Sequence, residues 1–429
     1  MVAAVTRTFR YRCYPTDAQA AELTRTFGCV RKVYNMALAA RIEAWKLRQE
    51  HVGYTASSAM LTAWKRTDEL AYLNEVSSVP LQQALRHLES AFTNFFAKRA
   101  RYPRFKTKRR SRSAAEYTSR AFRYRDGRLT LAKMREHLDV VWSRPLPEGA
   151  EPSTVTVSRD AAGRWFVAVR FHDRHVVPPH ADGGAVGIDV GIHHLITLST
   201  GETIENPKHE RRDRARLARA QRSVSRKVRG DGANRAKARQ RAARIHARIA
   251  DRRHDHLHKL TTRLVRENQT LVVEDLVVHN MVKNHHLARA ISDAGWRQFR
   301  TMLEYKANWY GRTVLAVDRW FPSSKLCSNC GETTDRMPLA LRAWTCPCGA
   351  KHDRDVNAAR NILAAGLAVS ACGADVRPQQ GSSRTRRPAV KQEAPRVTEG
   401  PSRLRAGGGG QAPQPACVPP TRSARIFSK

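Results

Sequence analysis

The segment AVGIDVGIHHLITLSTGETI, from Ala185 to Ile204, contains two apolar runs that a short polar turn separates. This pattern predicts a buried strand, a turn and a second strand. Asp189 interrupts the first run, where a charged carboxylate is costly unless it binds a cation or forms an ion pair. We therefore take Asp189 as the first candidate ligand of a metal ion.

Two more carboxylates occur in comparable contexts. Glu274 ends the apolar run of TLVVEDL, and Asp355 in HDRDVNAARNIL lies near the start of a predicted helix. The small residues Ala358 and Ala359 would let that helix pack closely against a sheet. Two-metal phosphodiester cleavage needs carboxylates from separate elements that converge on one point. Acids on a strand, a second strand and a helix, in that order, are typical of an RNase H-like fold and predict a nuclease site.

Each of these acids has a simpler interpretation when it is taken alone. An Asp that ends a strand is more often a cap or an ion-pair partner than a metal ligand. Asp353, two residues before Asp355, is the nearest alternative for the third position. Asp275 follows Glu274 and should point to the opposite face of the strand, so we do not include it in the site.

Four of the eight cysteines are clustered in the motifs CSNC and CPC, as Cys327, Cys330, Cys346 and Cys348. The two pairs are separated by 15 residues, which is close to the spacing of paired knuckles that hold tetrahedral Zn²⁺. Four thiolates would leave no position for substrate, so the pattern predicts a structural zinc site. The second knuckle has one intervening residue instead of the usual two, which strains its turn. The alternative is a reduced loop without a metal.

The composition indicates the class of partner. The chain has 429 residues, with 77 Lys and Arg against 38 Asp and Glu, and a formal net charge of +39. A surface this basic repels itself unless a polyanion covers it, so the charge predicts a nucleic-acid partner, although a solvated basic surface would have the same composition. No apolar run approaches the ~20 residues of a membrane span, and no signal peptide is evident. We therefore expect a cytoplasmic protein without a membrane partner.

Strand and helix patterns divide the N-terminal part of the chain. Residues 6–14 alternate apolar and basic side chains, and Thr16 with Gln19 predicts a capping box for a helix. Hairpin-like strands return in FRYRDGRLTL and TVTVSRDAAGRWFVAVRF. We expect residues 1–14 and 118–178 to form a small β-barrel, with residues 15–117 as a helical, helix-turn-helix-like lobe inserted into it.

The remaining sequence predicts an α/β domain at 183–325 and 350–366, with a zinc module at 326–349. Two long basic helices, at about 208–229 and 234–266, should be separated by a glycine-containing break. A later helix should begin at a cap on Ser292 and end at Gly311. Residues 367–429 are rich in Gly, Pro, Ser and Arg, which predicts a disordered tail.

The order of these motifs resembles the TnpB family, the OrfB-type proteins of bacterial insertion sequences, usually described as transposases and related to type V CRISPR nucleases. The resemblance implies an α+β multidomain fold. It would consist of an oligonucleotide-binding-like β-barrel with a helical insertion, followed by an RNase H-like (RuvC) nuclease domain with an inserted zinc ribbon. The segments that carry it lie between about Arg7 and Leu363 and are FRYRCYPTDAQAAELTRTFGCVRKVYNMAL, YPRFKTKRR, VGIDVG, LVVEDL, CSNCG and CPCGAKHDRDVNAARNIL.

The family's functional residues correspond one by one to positions of this sequence. Its three catalytic acids fall on Asp189 in GIDVG, Glu274 in VVEDL and Asp355, the second Asp of DRDVN. All three are present, which favours an active nuclease over the catalytically dead relatives that act as repressors. The four zinc ligands fall on Cys327, Cys330, Cys346 and Cys348, and the shortened Cys-Pro-Cys knuckle is the one departure from the pattern.

By this resemblance the protein would bind a guide RNA made from the end of its own element and cut the DNA that pairs with the guide. Mg²⁺, or Mn²⁺ in its place, would act at the three acids, and Zn²⁺ would be structural. The protein would work at the nucleoid of a bacterial cytoplasm, as a monomer or homodimer. Two alternatives stay open: a DNA-only transposase that performs strand transfer, and a catalytically silent nucleic-acid-binding regulator.

Overall fold

The computed structural model describes residues 5–173, 183–227, 232–335, 337–338 and 341–371. The predicted tail beyond residue 371 and the predicted helix break at 230–231 lie outside these ranges. No helix in the described part of the chain is long and apolar enough to cross a membrane. The described residues form a mixed α/β structure with two five-stranded sheets, one in each half of the chain, and two small two-stranded sheets.

The first large sheet is antiparallel, with the strand order β2-β6-β7-β1-β5. In β1 the apolar side chains alternate with exposed ones, so that Phe9, Tyr11 and Cys13 are buried in its core. The hairpin β3–β4 turns at Asp126-Gly127, forms a separate sheet and contributes its leucines to the same core. The strands are β1 (Val5–Cys13), β2 (Ser113–Thr118), β3 (Phe122–Arg125), β4 (Arg128–Leu131), β5 (Val140–Val141), β6 (Glu151–Arg159) and β7 (Trp165–Asp173).

Helices fill the interval between β1 and β2. The predicted capping box is confirmed, because Thr16 Oγ1 accepts from the Gln19 backbone N–H while the Gln19 side chain accepts from that of Thr16. Leu38, Leu85 and Leu88 are fully buried where the helices pack on one another. The elements are α1 (Asp17–Arg48), α2 (Tyr54–Trp64), a 3₁₀ helix (Asp68–Asn74) and α3 (Ser78–Phe96).

The second large sheet has the order β10-β9-β8-β11-β12. Strands β8, β11 and β12 are parallel to one another. On the other side of β8, β9 pairs antiparallel with β8, and β10 pairs antiparallel with β9. Parallel neighbours end at the same edge of a sheet, which brings the carboxyl ends of β8 and β11 together. These strands are β8 (Gly183–Val190), β9 (His194–Leu198), β10 (Thr203–Glu205), β11 (Asn268–Glu274) and β12 (Thr313–Val317).

Six described helices and a two-stranded sheet accompany this second sheet. Long α5 and α8 cover it from one side with the buried side chains Leu257, Leu264, Phe299 and Leu303. The helices are α4 (His209–Ser225), α5 (Gly232–Glu267), α6 (Val278–Met281), α7 (Ala288–Ala294), α8 (Trp296–Tyr310) and α9 (Arg354–Ala371). The small sheet pairs β13 (Ala343–Thr345) with β14 (Lys351–Asp353).

Three predicted helix boundaries were wrong. Ser292 does not cap a helix but lies within α7, because Gly295 adopts a left-handed φ of 72° and begins a new helix, α8. Helix α4 ends at Ser225, earlier than its basic composition suggested. Helix α9 continues to Ala371, so residues 367–371 are helical rather than the start of the tail. Small, good helix formers such as Ala364 and Ala365 let the helix continue there.

Helix α9 packs directly on β8 and carries Asp355 in its first turn. A Cβ atom at Gly187 would lie 2.1 Å from the carbonyl oxygen of Ala359, a distance that no side chain could tolerate. Ala358 and Ala359 are buried at this contact, as their small size predicted. The absence of a side chain at Gly187 therefore allows the helix to approach the strand that carries Asp189.

Candidate functional site: a carboxylate cluster beside four cysteines

Asp189 and Glu274 lie at the ends of adjacent parallel strands. The register pairs Ile188 of β8 with Val273 of β11, so each acid comes one residue after a directly paired position. Both carboxylates are half-buried, while Ile188 and Val273 are buried in the core of the sheet. The parallel arrangement of the two strands therefore brings the first two predicted acids side by side.

The electrostatics of Asp189 show that the third acid is also near. Burial, followed by the negative charges of Glu274 and Asp355, raises the pKa of Asp189 to about 7, against a smaller opposing effect of Arg354. Like charges that crowd together disfavour ionisation of one another. The structure thus brings Asp189, Glu274 and Asp355 into one electrostatically coupled cluster, which a cation would stabilise.

Asp353 and Asp355 have different environments. Asp353 Oδ1 accepts hydrogen bonds from the backbone N–H groups of Asp355 and Val356, at 3.0 and 2.9 Å, and so caps the N-terminus of α9. Asp355 is half-buried, and its Oδ2 atom lies 3.3 Å from Nη1 of Arg342. The cap leaves Asp353 with a structural role, whereas Asp355 is the acid whose charge acts on Asp189.

Ser323 contacts Glu274, and the sequence patterns did not indicate it. Its hydroxyl donates to Glu274 Oε1 at 2.5 Å. Ser323 is buried, and its carbonyl oxygen accepts a 2.8 Å hydrogen bond from Asn361 of α9. Asn361 and Asn357 are buried polar residues four positions apart on one helix face, and both donate to the carbonyl of Leu326. That spacing of two asparagines among small apolar residues was the available signal for this loop.

Asp275 takes part in ion pairs beside the carboxylate cluster. Arg300 Nη1 and Arg319 Nη2 lie 2.7 and 2.8 Å from its two carboxylate oxygens. A cleft of about 430 Å³ adjoins Glu274 and Asp275 and is lined in part by Arg297, Arg300 and Arg319. The lining also includes Glu304, so three carboxylates balance the three arginines, and Asp275 pairs with two of them.

The four predicted cysteines lie together. Their sulfur atoms are all within 4.8 Å of one another, with 3.6 Å between Cys330 and Cys346 and 3.9 Å between Cys327 and Cys348. Zn–S bonds of about 2.3 Å in a tetrahedron require sulfur separations of roughly 3.8 Å, so the arrangement fits a four-thiolate metal site despite the short second knuckle.

The pKa values of Cys327 and Cys348 are lowered, whereas those of Cys330 and Cys346 are raised. Hydrogen bonding from the Ala350 backbone N–H, and then from the Cys330 side chain, lowers the pKa of Cys348 to about 6. His352 Nε2 lies 3.1 Å from the sulfur of buried Cys327, where an N–H group can orient a thiolate ligand. Backbone hydrogen bonding therefore favours a thiolate at Cys348, and a bound cation would favour thiolates at the other three cysteines.

The chain matches known protein families over three segments. Residues 166–285 match the OrfB_IS605 family, whose description is "Probable transposase". Residues 296–362 match "Cas12f1-like, TNB domain", and residues 1–50 match a "Helix-turn-helix domain" of OrfB proteins. The second match contains the four cysteines and Asp355.

Curated relatives cover nearly the whole chain. A Streptomyces pristinaespiralis protein named "Putative RNA-guided DNA endonuclease" is 66% identical over 404 residues, which are 94% of this chain and 100% of the relative. A protein of Escherichia coli strain K12, "Putative RNA-guided DNA endonuclease InsQ", is 35% identical over 85% of this chain and 93% of its own length.

A solved structure shares the fold. The protein of a Cas12f1–sgRNA–target DNA complex aligns with a TM-score of 0.52 and 13% identity, over 84% of this chain and 98% of that chain. The identity is low enough that this likeness concerns the fold alone. The full-length relatives are much closer in sequence, and the family matches agree with them. This chain therefore belongs to the OrfB-type, TnpB-like family of insertion-sequence proteins.

Proposed function

We propose that this protein is an insertion-sequence-encoded, RNA-guided DNA endonuclease that hydrolyses phosphodiester bonds at Asp189, Glu274 and Asp355. The observation that carries the proposal is the convergence of these three acids from two parallel strands and one helix. The names of the curated relatives support the same activity. The oxygen-only donor set suits Mg²⁺, with Mn²⁺ as a substitute.

The residues of this chain would divide the work at the site. Asp189, Glu274 and Asp355 would hold two divalent cations, which supply an activated water and stabilise the leaving oxygen. Ser323 would orient Glu274 through its 2.5 Å hydrogen bond. Arg342, beside Asp355, would place a positive charge where the scissile phosphate must lie.

The cysteine cluster would hold a structural Zn²⁺. The four thiolates would complete a tetrahedron, so substrate would have no coordination position there. The cluster follows Ser323 closely in sequence and precedes Asp355, and Asn357 of α9 accepts a 2.9 Å hydrogen bond from the Ser328 backbone N–H. A bound ion would thus stabilise the loop that contacts Glu274 and the start of the helix that carries Asp355.

Basic surfaces of the chain would bind the two nucleic acids. A groove of about 520 Å³ lies between the first sheet and α5, and its lining includes Arg12, Arg244, Arg248 and Arg252. Arg164 at its edge pairs with Asp251 of α5, which ties the sheet to the helix. The fold is shared with a protein solved in complex with an sgRNA and target DNA. We infer that a guide RNA from the element's end and its DNA target occupy such basic grooves.

We also propose a division of the chain into domains. Residues 1–14 and 118–178 would form an oligonucleotide-binding-like barrel, with residues 15–117 as its helical insertion. Residues 183–325 and 350–366 would form an RNase H-like (RuvC) domain, and residues 326–349 a zinc ribbon. The sheet order β10-β9-β8-β11-β12 supports the RNase H-like assignment. Such a protein would act at the bacterial nucleoid in the cytoplasm, as a monomer or homodimer.

Co-expression with flanking element DNA tests the proposal. We expect the purified protein to carry an RNA from the element's end and to cut a matching plasmid when Mg²⁺ is added. Asp189→Ala should abolish cutting while the RNA stays bound. Asp255→Ala is a matched control, because Asp255 is exposed on α5 and pairs with Lys259 four residues away. Joining or cutting without RNA would instead indicate the DNA-only transposase, and unchanged function in Asp189→Ala would indicate the silent regulator.

A further inference from the structure

Trp320 is the most exposed large apolar side chain among the described residues, with 85% of its surface accessible. It lies in the loop between β12 and the cysteine cluster. Its neighbour in sequence, Phe321, packs into the core beneath the loop. An exposed indole offers a large, flat apolar face that a ligand can cover.

The loop holds Trp320 in a defined place. The Trp320 backbone N–H donates to Asp318 Oδ1 at 2.8 Å, and the Phe321 N–H donates to the Asp318 carbonyl at 3.0 Å. On the other side, Ser323 is fixed by Glu274 and by Asn361. Because the backbone of the loop is already ordered, a ligand of Trp320 would need to order only its side chain, which favours a recognition role.

The position of the loop indicates what the ring contacts. Ser323, three residues after Trp320, donates to Glu274 of the carboxylate cluster. Arg319, the residue before Trp320, pairs with Asp275 and lines the cleft beside Glu274. Trp320 therefore lies on a short loop segment between a residue that lines this cleft and a residue that contacts Glu274.

We propose that Trp320 is a stacking platform for an unpaired base of the DNA strand that is to be cut. The inference rests on the proposed nuclease function, because it uses the carboxylate cluster as the destination of the strand. A single ring with no described aromatic ring against it is too small for a stable protein interface, which buries roughly 800 Å² per partner. An aromatic face beside arginines is instead the usual arrangement for single-stranded nucleic acid.

Fluorescence of 2-aminopurine in a short single-stranded DNA tests this stacking without any cleavage. The full-length protein with its bound RNA is titrated in Ca²⁺, and stacking of the probe base on the indole should quench its emission. Trp320→Ala should remove the quenching and weaken binding about tenfold, since stacking contributes ~1–3 kcal/mol per base. Trp320→Phe should restore most of both signals. Trp45→Ala is the matched control, because Trp45 is 56% exposed on α1, in the helical region between the strands of the first sheet.

Cleavage kinetics supply the second readout. With a single-stranded substrate, Trp320→Ala should raise KM about tenfold and change kcat less than twofold. Equal quenching and equal KM in Trp320→Ala and wild type would overturn the proposal. Weakened binding of RNA alone, with an unchanged DNA signal, would assign the ring to RNA and overturn it too. Trp320-dependent quenching in a protein that cuts no DNA would refute the nuclease function but leave the stacking site established.

Discussion

Arg342 Nη1 lies 3.3 Å from Asp355 Oδ2, and this contact joins the segment between the two cysteine pairs to the carboxylate cluster. The Arg342 carbonyl also accepts a 2.8 Å hydrogen bond from the Arg354 backbone N–H at the start of α9. The cysteine module and the acids are therefore mechanically connected. A change in metal binding at the sulfur atoms should therefore affect the nuclease site, although the two sites have different chemistry.

Loss of one thiolate should impair cleavage through this connection. We expect Cys346→Ser to release the zinc ion and to lower the cleavage rate at least tenfold, because Arg342 and the Ser323 loop lose their support. Metal analysis should give one zinc per chain in wild type and none in the variant. Cys29→Ala is the control, since Cys29 is buried in the helical core far from the cluster in sequence, and this variant should keep its zinc. Full cleavage by a zinc-free Cys346→Ser protein would disprove the connection.

The contact between Gly187 and α9 should be sensitive to a single methyl group. Gly187→Ala would place a Cβ atom 2.1 Å from the Ala359 carbonyl oxygen, so the helix must shift. We expect a loss of about 1–3 kcal/mol in the free energy of unfolding and a clear loss of cleavage, because the shift separates Asp355 from Asp189. At Gly28, inside α1, an added Cβ atom would meet nothing within 4 Å. Gly28→Ala should therefore be neutral or stabilising. Denaturant titrations measure both variants, and a neutral Gly187→Ala would be inconsistent with this packing.

The raised pKa of Asp189 predicts a pH-dependent penalty in protein free of Mg²⁺. The folded-state pKa is about 7, against about 3.9 in an unfolded chain. The folded state therefore binds this proton more tightly, and stability falls as the pH rises between these two values. At pH 8 the free energy of unfolding of Asp189→Asn should exceed that of wild type by about 2 kcal/mol, after allowance for partial exposure. This difference should nearly vanish at pH 4. Equal stabilities at pH 8 would show that neither burial nor the neighbouring carboxylates disfavour the charged form of Asp189.

Removal of the Ser323 hydroxyl should weaken the metal site without unfolding the protein. Ser323→Ala leaves Glu274 without its 2.5 Å donor, and loss of such an orienting partner typically weakens metal affinity 10- to 100-fold. We expect the Mg²⁺ concentration for half-maximal cleavage to rise about tenfold. Ser324→Ala, in the same loop, should behave as wild type. An unaltered Mg²⁺ dependence in Ser323→Ala would remove Ser323 from the proposed site.

Local patterns predicted much of the fold because they act through neighbouring residues. The capping box at Thr16 and Gln19 and the hairpin turn at Asp126-Gly127 need only a few consecutive residues, and both are present. The metal-ligand spacing of the cysteines is also local, and their sulfur atoms cluster as it predicted. Element ends were harder to predict: Ser292 was expected to cap a helix, but the left-handed Gly295, for which no boundary was predicted, ends α7 and begins α8.

The surroundings of the carboxylate cluster were harder to predict, because they depend on long-range contacts that no local sequence pattern contains. The different surroundings of Asp353 and Asp355 come from hydrogen bonds at the N-terminus of α9, and Ser323 reaches Glu274 because β12 lies beside β11. The sequence could indicate that an acid in an apolar strand needs a partner. It could not indicate which serine or arginine would become that partner, because those contacts form only when distant segments pack.

Guide-directed cleavage is the most direct test of the central claim. The protein is assembled with an RNA whose guide segment has been replaced, and two plasmids that differ only in the sequence matching the old or the new guide are offered together with Mg²⁺. We predict that only the plasmid matching the new guide is cut, and that Asp189→Ala with the same RNA cuts neither. Cutting that ignores the guide, or that persists in Asp189→Ala, would contradict an RNA-guided nuclease built on this carboxylate cluster.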